Sequence, residues 1–394
     1  MKGLNFLPRY SLFAMLAVTG TLAVVRVWSG QRIGAQPSPL SVAQMRDGAI
    51  PASFRVQRVG DVPPDIRDSR GDLHVQFVNE TRGWLSAGKK FWRTVDGGQH
   101  WLFVYDASPD SIRQFEFIDA VTGWMLTTAR LYKTKDGGST WTLRSQPIRS
   151  DSEGHISAFR FLKEGRQGWI AGGLYMPIAR RFSDEDDFIP SRYLSPDEKR
   201  VLRGVIFYTE DGGENWQRQL LAPSWGNLTV LFALDDEHAW AAGTAGGFYL
   251  TTGKWKAMNS DGAKAEGRPA VKSLDIQIGF PTIGPASIFF LNPSLGWLSN
   301  SNGYLARSSD GGKEWQDIFP PVEIQGDPPD DFTKVFFTDQ MNGWACGYER
   351  GLYVTHDGGF SWERENSKID FKAMYVLSSG EGWAVSQQGL FHFK

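Results

Sequence analysis

Residues 94–101 read TVDGGQHW, and the same eight-residue pattern returns at 134–141 (TKDGGSTW), 209–216 (TEDGGENW), 308–315 (SSDGGKEW) and 355–362 (THDGGFSW). All five fit Ser/Thr-x-Asp-x-Gly-x-x-Trp. Paired glycines tolerate the positive φ that a tight turn demands. Asp96, Asp136, Asp211, Asp310 and Asp357 are placed to accept hydrogen bonds from the turn's own amides and from the Ser/Thr hydroxyl. The Trp then enters the next strand. The box is therefore expected to be a structural fastener that pins the register of a hairpin.

Working outward from the boxes, a second signal lies twelve or thirteen residues upstream of the box Asp in four of the five units. Trp84, Trp124, Trp169, Trp297, Trp344 and Trp383 each follow a glycine, and Trp240 follows Ala239. Each dipeptide is preceded by a short alternating apolar stretch (VQFV, FEFI, AFRFL, VLFAL, SIFFL, VFF, MYVL), as a strand with one buried face requires. Asp96 and Asp136 are 40 residues apart and Asp310 and Asp357 are 47 apart, the period of a four-stranded propeller blade. Seven such units predict an all-β, seven-bladed β-propeller of four-stranded antiparallel blades over residues 52–394.

Three irregularities qualify the repeat. Trp169 and Asp211 are 42 residues apart, which predicts an insertion at about 173–204 within the third unit. Ser195-Pro196-Asp197-Glu198 resembles a helix-capping box and predicts a short helix to about Leu202. The fourth unit has Thr252-Gly253-Lys254-Trp255 in place of a box, followed by a Gly/Pro-rich excursion from Met258 to Pro285. The last unit ends after its third strand, and FRVQRV (Phe54 to Val59) has no other place. This N-terminal segment is expected to complete the last blade and so remove an open sheet edge.

Ahead of the repeats, Tyr10 to Val25 is an uncharged, mostly apolar run of 16 residues behind Lys2 and Arg9. That length falls between a signal-peptide core and a spanning helix. Residues 1–28 read as a signal peptide or an uncleaved membrane anchor, an N-terminal hydrophobic helix, and 29–51 as a flexible linker. The propeller is thus expected outside the cytoplasm. No cysteine follows the apolar run, so lipid attachment there is not expected. Cys346, the one cysteine, cannot form an internal disulfide. With 42 Lys+Arg against 44 Asp+Glu, no basic excess recruits nucleic acid, and none is expected as a partner.

The five boxes resemble the Asp-box, or bacterial neuraminidase repeat, of sialidases, some glycoside hydrolases and sortilin-type receptors. FWRTVDGGQHW, LYKTKDGGSTW and YLARSSDGGKEW are most similar to the units of the photosystem II stability and assembly factor family. That resemblance covers about residues 54–394. It implies a seven-bladed propeller in the periplasm or thylakoid lumen that binds a newly made membrane-protein subunit through arginines on its surface. The matching basic position, three before the box Asp, holds Arg93, Lys133 and Arg307, whereas Tyr208 and Val354 occupy it in the third and sixth units. Arg180, Arg181 and Arg192 in the insertion are further candidates for partner binding, since long insertions on rigid scaffolds tend to carry function.

Catalysis is not expected. The box carboxylates are committed to their turns, and nothing in the sequence brings together the two carboxylates of a glycosidase or the arginine triad of a sialidase. A carbohydrate-active propeller is the alternative reading. His74, His100, His155, His238, His356 and His392 are scattered without ligand spacing, so neither a metal nor a cofactor is expected. Of 16 tryptophans, 13 fall on the repeat and read as packing residues; Trp92 and Trp225 are left as candidates for a ligand surface. The chain is expected to be monomeric.

Overall fold

A computed structural model describes residues 55–67, 73–149, 152–178, 194–195, 199–244, 248–252, 272–274, 284–300, 305–318, 331–348, 351–364 and 369–394. The N-terminal segment 1–28, the linker 29–51 and the candidates Arg180, Arg181 and Arg192 lie outside them. Among the described residues the helix is the single turn Pro64–Arg67, and no helix is long and apolar enough to cross a membrane.

The strands form an all-β propeller of four-stranded antiparallel blades. Blade one comprises Leu73–Phe77, Gly83–Ala87, Lys90–Thr94 and Leu102–Asp106, and blade two Ile112–Phe117, Gly123–Thr127, Leu131–Thr134 and Thr142–Leu143. Blade three runs Gly154–Phe161, Gly168–Pro177, Arg200–Thr209 and Gln217–Trp225; blade four is Leu228–Ala233, His238–Gly243, Phe248–Thr252 and Lys272–Leu274. Blade five holds Pro285–Phe290, Gly296–Asn300, Leu305–Ser308 and Gln316–Asp317; blade six holds Asp331–Phe337, Gly343–Tyr348, Gly351–Thr355 and Glu363–Arg364. The remaining sheet takes Phe371–Val376, Gly382–Ser386 and Gly389–Phe393 from the C-terminus, with Val56–Gly60 from the N-terminus as its outer strand. Val56 pairs with Phe393 and Arg58 with Phe391, so the two ends of the propeller share one sheet. Inner strands of successive blades pack side by side, and the inner strand of blade one meets that of the sheet shared by the two ends.

The interfaces between blades explain why glycine precedes tryptophan. The last aromatic of an inner strand lies flat on the Trp of the preceding blade: Trp84 on Phe117, Trp124 on Phe161, Trp240 on Phe290, Trp297 on Phe337 and Trp383 on Phe77, with centroids 3.5 to 4.0 Å apart. The other face of that Phe rests on the glycine of its own blade. A Cβ at Gly123 would stand 2.7 Å from the Phe117 ring. Where the inner strand ends in Ala233 instead of Phe, the glycine is replaced by Ala239, its cross-strand partner.

The same tryptophans read the boxes. Indole Nε1 of Trp84, Trp124, Trp240 and Trp297 donates to a box glycine carbonyl of the following blade, Gly137, Gly212, Gly311 and Gly358, at 2.9 to 3.2 Å. Trp169 precedes blade four, and Trp344 precedes the sheet shared by the two ends. Both have a buried Nε1 with no partner among the described residues. Both also lack the stacked Phe, since Ala233 and Val376 stand there.

Two expectations are corrected. Residues Arg200–Leu202 are strand and not helix: Val201 pairs with Met176 and Leu202 with Tyr175, so the second and third strands of blade three simply run longer than in other blades. The hydroxyl of Ser195 accepts from the Arg200 amide at 3.0 Å, and Leu194 forms a bridge to Val201. Burial of Val201 and Leu202 against Tyr175 and Ile178 overrides the local capping signal. Trp92 belongs to the core, 4% exposed among Val75, Leu85 and Leu73, and is no ligand surface; the Trp225 side chain lies outside the described residues.

Candidate functional site

Each box is built as its residues demand. In the second, Thr134 Oγ1 donates to Asp136 Oδ1 at 2.8 Å and accepts from the Gly138 amide at 3.0 Å, while Asp136 Oδ1 accepts from the Thr140 amide at 2.9 Å. The hydroxyl-to-carboxylate bond recurs at Asp96, Asp211, Asp310 and Asp357. Gly137 and Gly138 have φ of 72° and 90°. Desolvation would raise the Asp96 carboxyl, but hydrogen bonds from the His100 amide and ring and from Thr94 outweigh it and hold the group down to about 2. The same balance keeps Asp136, Asp211 and Asp310 below the usual carboxylate range.

Every intact box is also tied to the first turn of its own blade, through Gly97 to the Thr81 carbonyl, Gly137 to Val121, Gly212 to Arg166, Gly311 to Ser294 and Gly358 to Met341. The boxes and the turns that close the inner hairpins therefore share one face of the propeller. The blade-three insertion leaves at Pro177 and returns at Arg200, which pair at the opposite end of that blade.

Arg93, Lys133 and Arg307 occupy one repeated position, cross-strand from Trp84, Trp124 and Trp297. Each spans to the next blade. Arg93 donates to the Asp136 carbonyl at 3.2 Å. Lys133 lies 4.4 Å over the Trp124 ring and donates to the Gly165 carbonyl at 3.5 Å. Arg307 sits 5.3 Å from the Phe360 ring and 6.0 Å from Trp297, and its buried Nε has no hydrogen-bond partner among the described residues. Burial lowers Lys133 and Arg307, Lys133 with help from Arg144. Blades three and six and the sheet shared by the two ends place Tyr208, Val354 and His392 there. The structure thus brings Arg93 and Lys133 onto adjacent blades and sets Arg307 apart. Exposed apolar side chains occupy the same face: Val95, Val121, Met341 and Phe360.

A cavity of about 680 Å³ opens along the inner strands and their first turns. Its polar wall was not singled out from the sequence. The Gln76 amide clamps the backbone of Phe117 in the next blade from both sides, at 2.7 and 2.8 Å, and Gln114 does the same to Phe159. Glu116 pairs with Arg160 and accepts from the Phe161 amide. Burial pushes the Glu116 carboxyl up, against the pull of Arg160 and that amide. Glu116 is the one carboxylate among the described lining residues. Gln76 and Glu116 sit directly opposite the repeat Trp of the next strand, and Gln114 two residues before that position. Among the described residues, no three His, Cys, Asp or Glu side chains come together as a metal site would need. Cys346 is fully buried, with its thiol 3.4 Å from the Phe371 carbonyl.

No family model matches the chain. A curated relative, the photosystem II assembly lipoprotein Ycf48 of Synechococcus sp. (strain CC9902), is 28% identical over 98 residues, which is 25% of this chain and 28% of the relative. The match thus spans little more than a quarter of that protein. Among solved structures, YCF48 bound to D1 peptide superposes with a TM-score of 0.55 at 17% identity, covering 86% of this chain and 96% of the other. YCF48 from Cyanidioschyzon merolae gives 0.54 at 14% identity, covering 86% and 98%. The GH74 xyloglucanase from Xanthomonas campestris gives 0.53 at 11% identity, covering 86% of this chain and 53% of that one. In sequence over a quarter of its length, and in fold over most of it, the chain is similar to the photosystem II assembly factor Ycf48.

Proposed function

We propose that this protein is a non-catalytic assembly factor working outside the cytoplasm, a seven-bladed ring that holds a membrane-protein partner on its box face. The observation that carries the reading is the composition of that face, where Arg93, Lys133 and Arg307 stand among the exposed apolar residues Val95, Val121, Met341 and Phe360. Such a surface suits a segment that is both acidic and apolar, since charge orients the encounter while buried apolar area supplies affinity. The likeness to Ycf48, one structure of which holds a D1 peptide, supports the same class of partner. Residues 1–28 would tether the ring beside the membrane, and Arg180, Arg181 and Arg192 would add a second contact.

The glycosidase reading rests on fold likeness to GH74 enzymes at 11% identity. It needs a second carboxylate about 5–10 Å from the first, and the described cavity lining supplies Glu116 alone, already paired with Arg160. Mild crosslinking of the full chain in native membranes, followed by co-purification, tests the proposal. Recovery of a membrane-protein subunit is expected; release of sugar from a glycan library with no protein partner recovered would favour the enzyme.

A further inference from the structure

The inner-strand position opposite each Trp forms a belt around the cavity, and the belt is divided. Gln76, Glu116 and Arg160 make one half, each hydrogen-bonded across a blade boundary. Phe232, Phe289, Phe336 and Tyr375 make the other, with successive centroids 5.4, 4.8 and 6.4 Å apart. Arg160 lies 5.6 Å over the Phe232 ring and joins the two.

Two residues further along its inner strand from the aromatic half, cross-strand from Cys346, stands Lys334. Lys334 lines the cavity, and unlike Arg160 it has no ion pair or hydrogen bond among the described residues. Of its neighbours, His74 and Cys346 supply no counter-charge, and Asp370 acts on Cys346. Burial, with Lys334 itself second, lowers His74 to about 3, and burial pushes the Cys346 thiol up to about 12, so both are neutral near pH 7. Desolvation lowers Lys334 as well. The charged lining residues are Glu116, Arg160, Lys163 and Lys334, and the single carboxylate is already taken by Arg160. A lysine without an ion pair beside an aromatic wall, in a cavity of about 680 Å³, has the dimensions of a small-molecule site.

We propose that this cavity binds a small aromatic organic anion, its carboxylate or sulfonate on Lys334 and its ring against Phe289, Phe336 and Tyr375. The site is separate from the box-face residues assigned to the partner. Two dyes of nearly the same shape test it by fluorescence titration of the full chain: 8-anilino-1-naphthalenesulfonate, an anion, and N-phenyl-1-naphthylamine, its neutral counterpart. One site per chain is expected for each. Lys334→Met, which keeps the stem and removes the charge, is expected to weaken the anion by about tenfold and the neutral dye by less than about twofold, while Lys334→Arg retains both. Phe336→Ala should weaken both dyes. A thermal melt of each variant reports the fold independently; removing a buried amine without an ion pair should leave Lys334→Met at least as stable as the parent. Absence of anion binding to the parent chain, or equal effects of Lys334→Met on the two dyes, overturns the proposal.

Discussion

The ring of Phe117 lies flat on the indole of Trp84, with centroids 3.6 Å apart and planes 7° from parallel, while Gly123 supports its other face. This three-residue stack, one member from the preceding blade and two from its own, recurs wherever the inner strand ends in Phe. Phe117→Ala should therefore cost about 3–5 kcal/mol, as large buried aromatics do. Chemical denaturation would show it, and a loss below about 1 kcal/mol would mean that the stack is not a principal contact.

Blades three and four meet without that stack. Ala233→Phe alone should destabilise, because the new ring would meet the Cβ of Ala239. Combined with Ala239→Gly, it should instead stack on Trp169 and recover at least about 1 kcal/mol over the single variant. Thermal melts of the two singles and the double close this cycle; strict additivity would contradict it.

Box carboxylates are expected to matter through their turns. Asp136→Ala leaves the Thr140 amide and hydroxyl and the Thr134 hydroxyl without their acceptor, and should lower stability by about 1–3 kcal/mol. Partner binding should be unchanged once the variant is compared below its melting temperature.

Acid sensitivity follows from the depressed carboxyls. Asp96 falls from 3.8 to about 2 on folding, and Asp136, Asp211 and Asp310 shift in the same direction. A lowered folded value contributes stability that is complete above the unfolded value and is lost as pH falls through the folded one. The box contribution should thus be flat above about pH 5 and fade between roughly pH 4 and 2. Melting curves across that range should show the slope reduced in Asp96→Asn.

Cys346 should be chemically silent in the native protein, since burial holds its thiol near 12 and only a thiolate attacks disulfide reagents. A colorimetric thiol assay should detect none before unfolding and one equivalent in guanidinium.

The propeller was legible because its two signals carry the covalent requirements of its tightest places: paired glycines at a positive-φ turn, and glycine where a ring presses on the chain. Closure was legible too, since FRVQRV had one vacancy to fill. The blade-three helix was misread because a capping signal is local, whereas Val201 and Leu202 are held by pairing with residues 25 positions or more upstream. The cavity was illegible for a different reason. The inner strands of every blade after the first carry a register irregularity, and a one-residue bulge inverts which side chains face inward. Alternation alone could not identify Lys334 or Glu116 as lining residues. The basic residues inferred from resemblance were legible as a set, but their reach to the neighbouring blade was not.

The central claim is that the box face holds the partner. Co-purification from native membranes should be repeated with Arg93→Gln, Lys133→Gln and Arg307→Gln combined, each preparation first matched to the parent by far-ultraviolet circular dichroism and a thermal melt. Loss of the membrane-protein subunit from a folded triple variant is the expected result; undiminished recovery would contradict the claim.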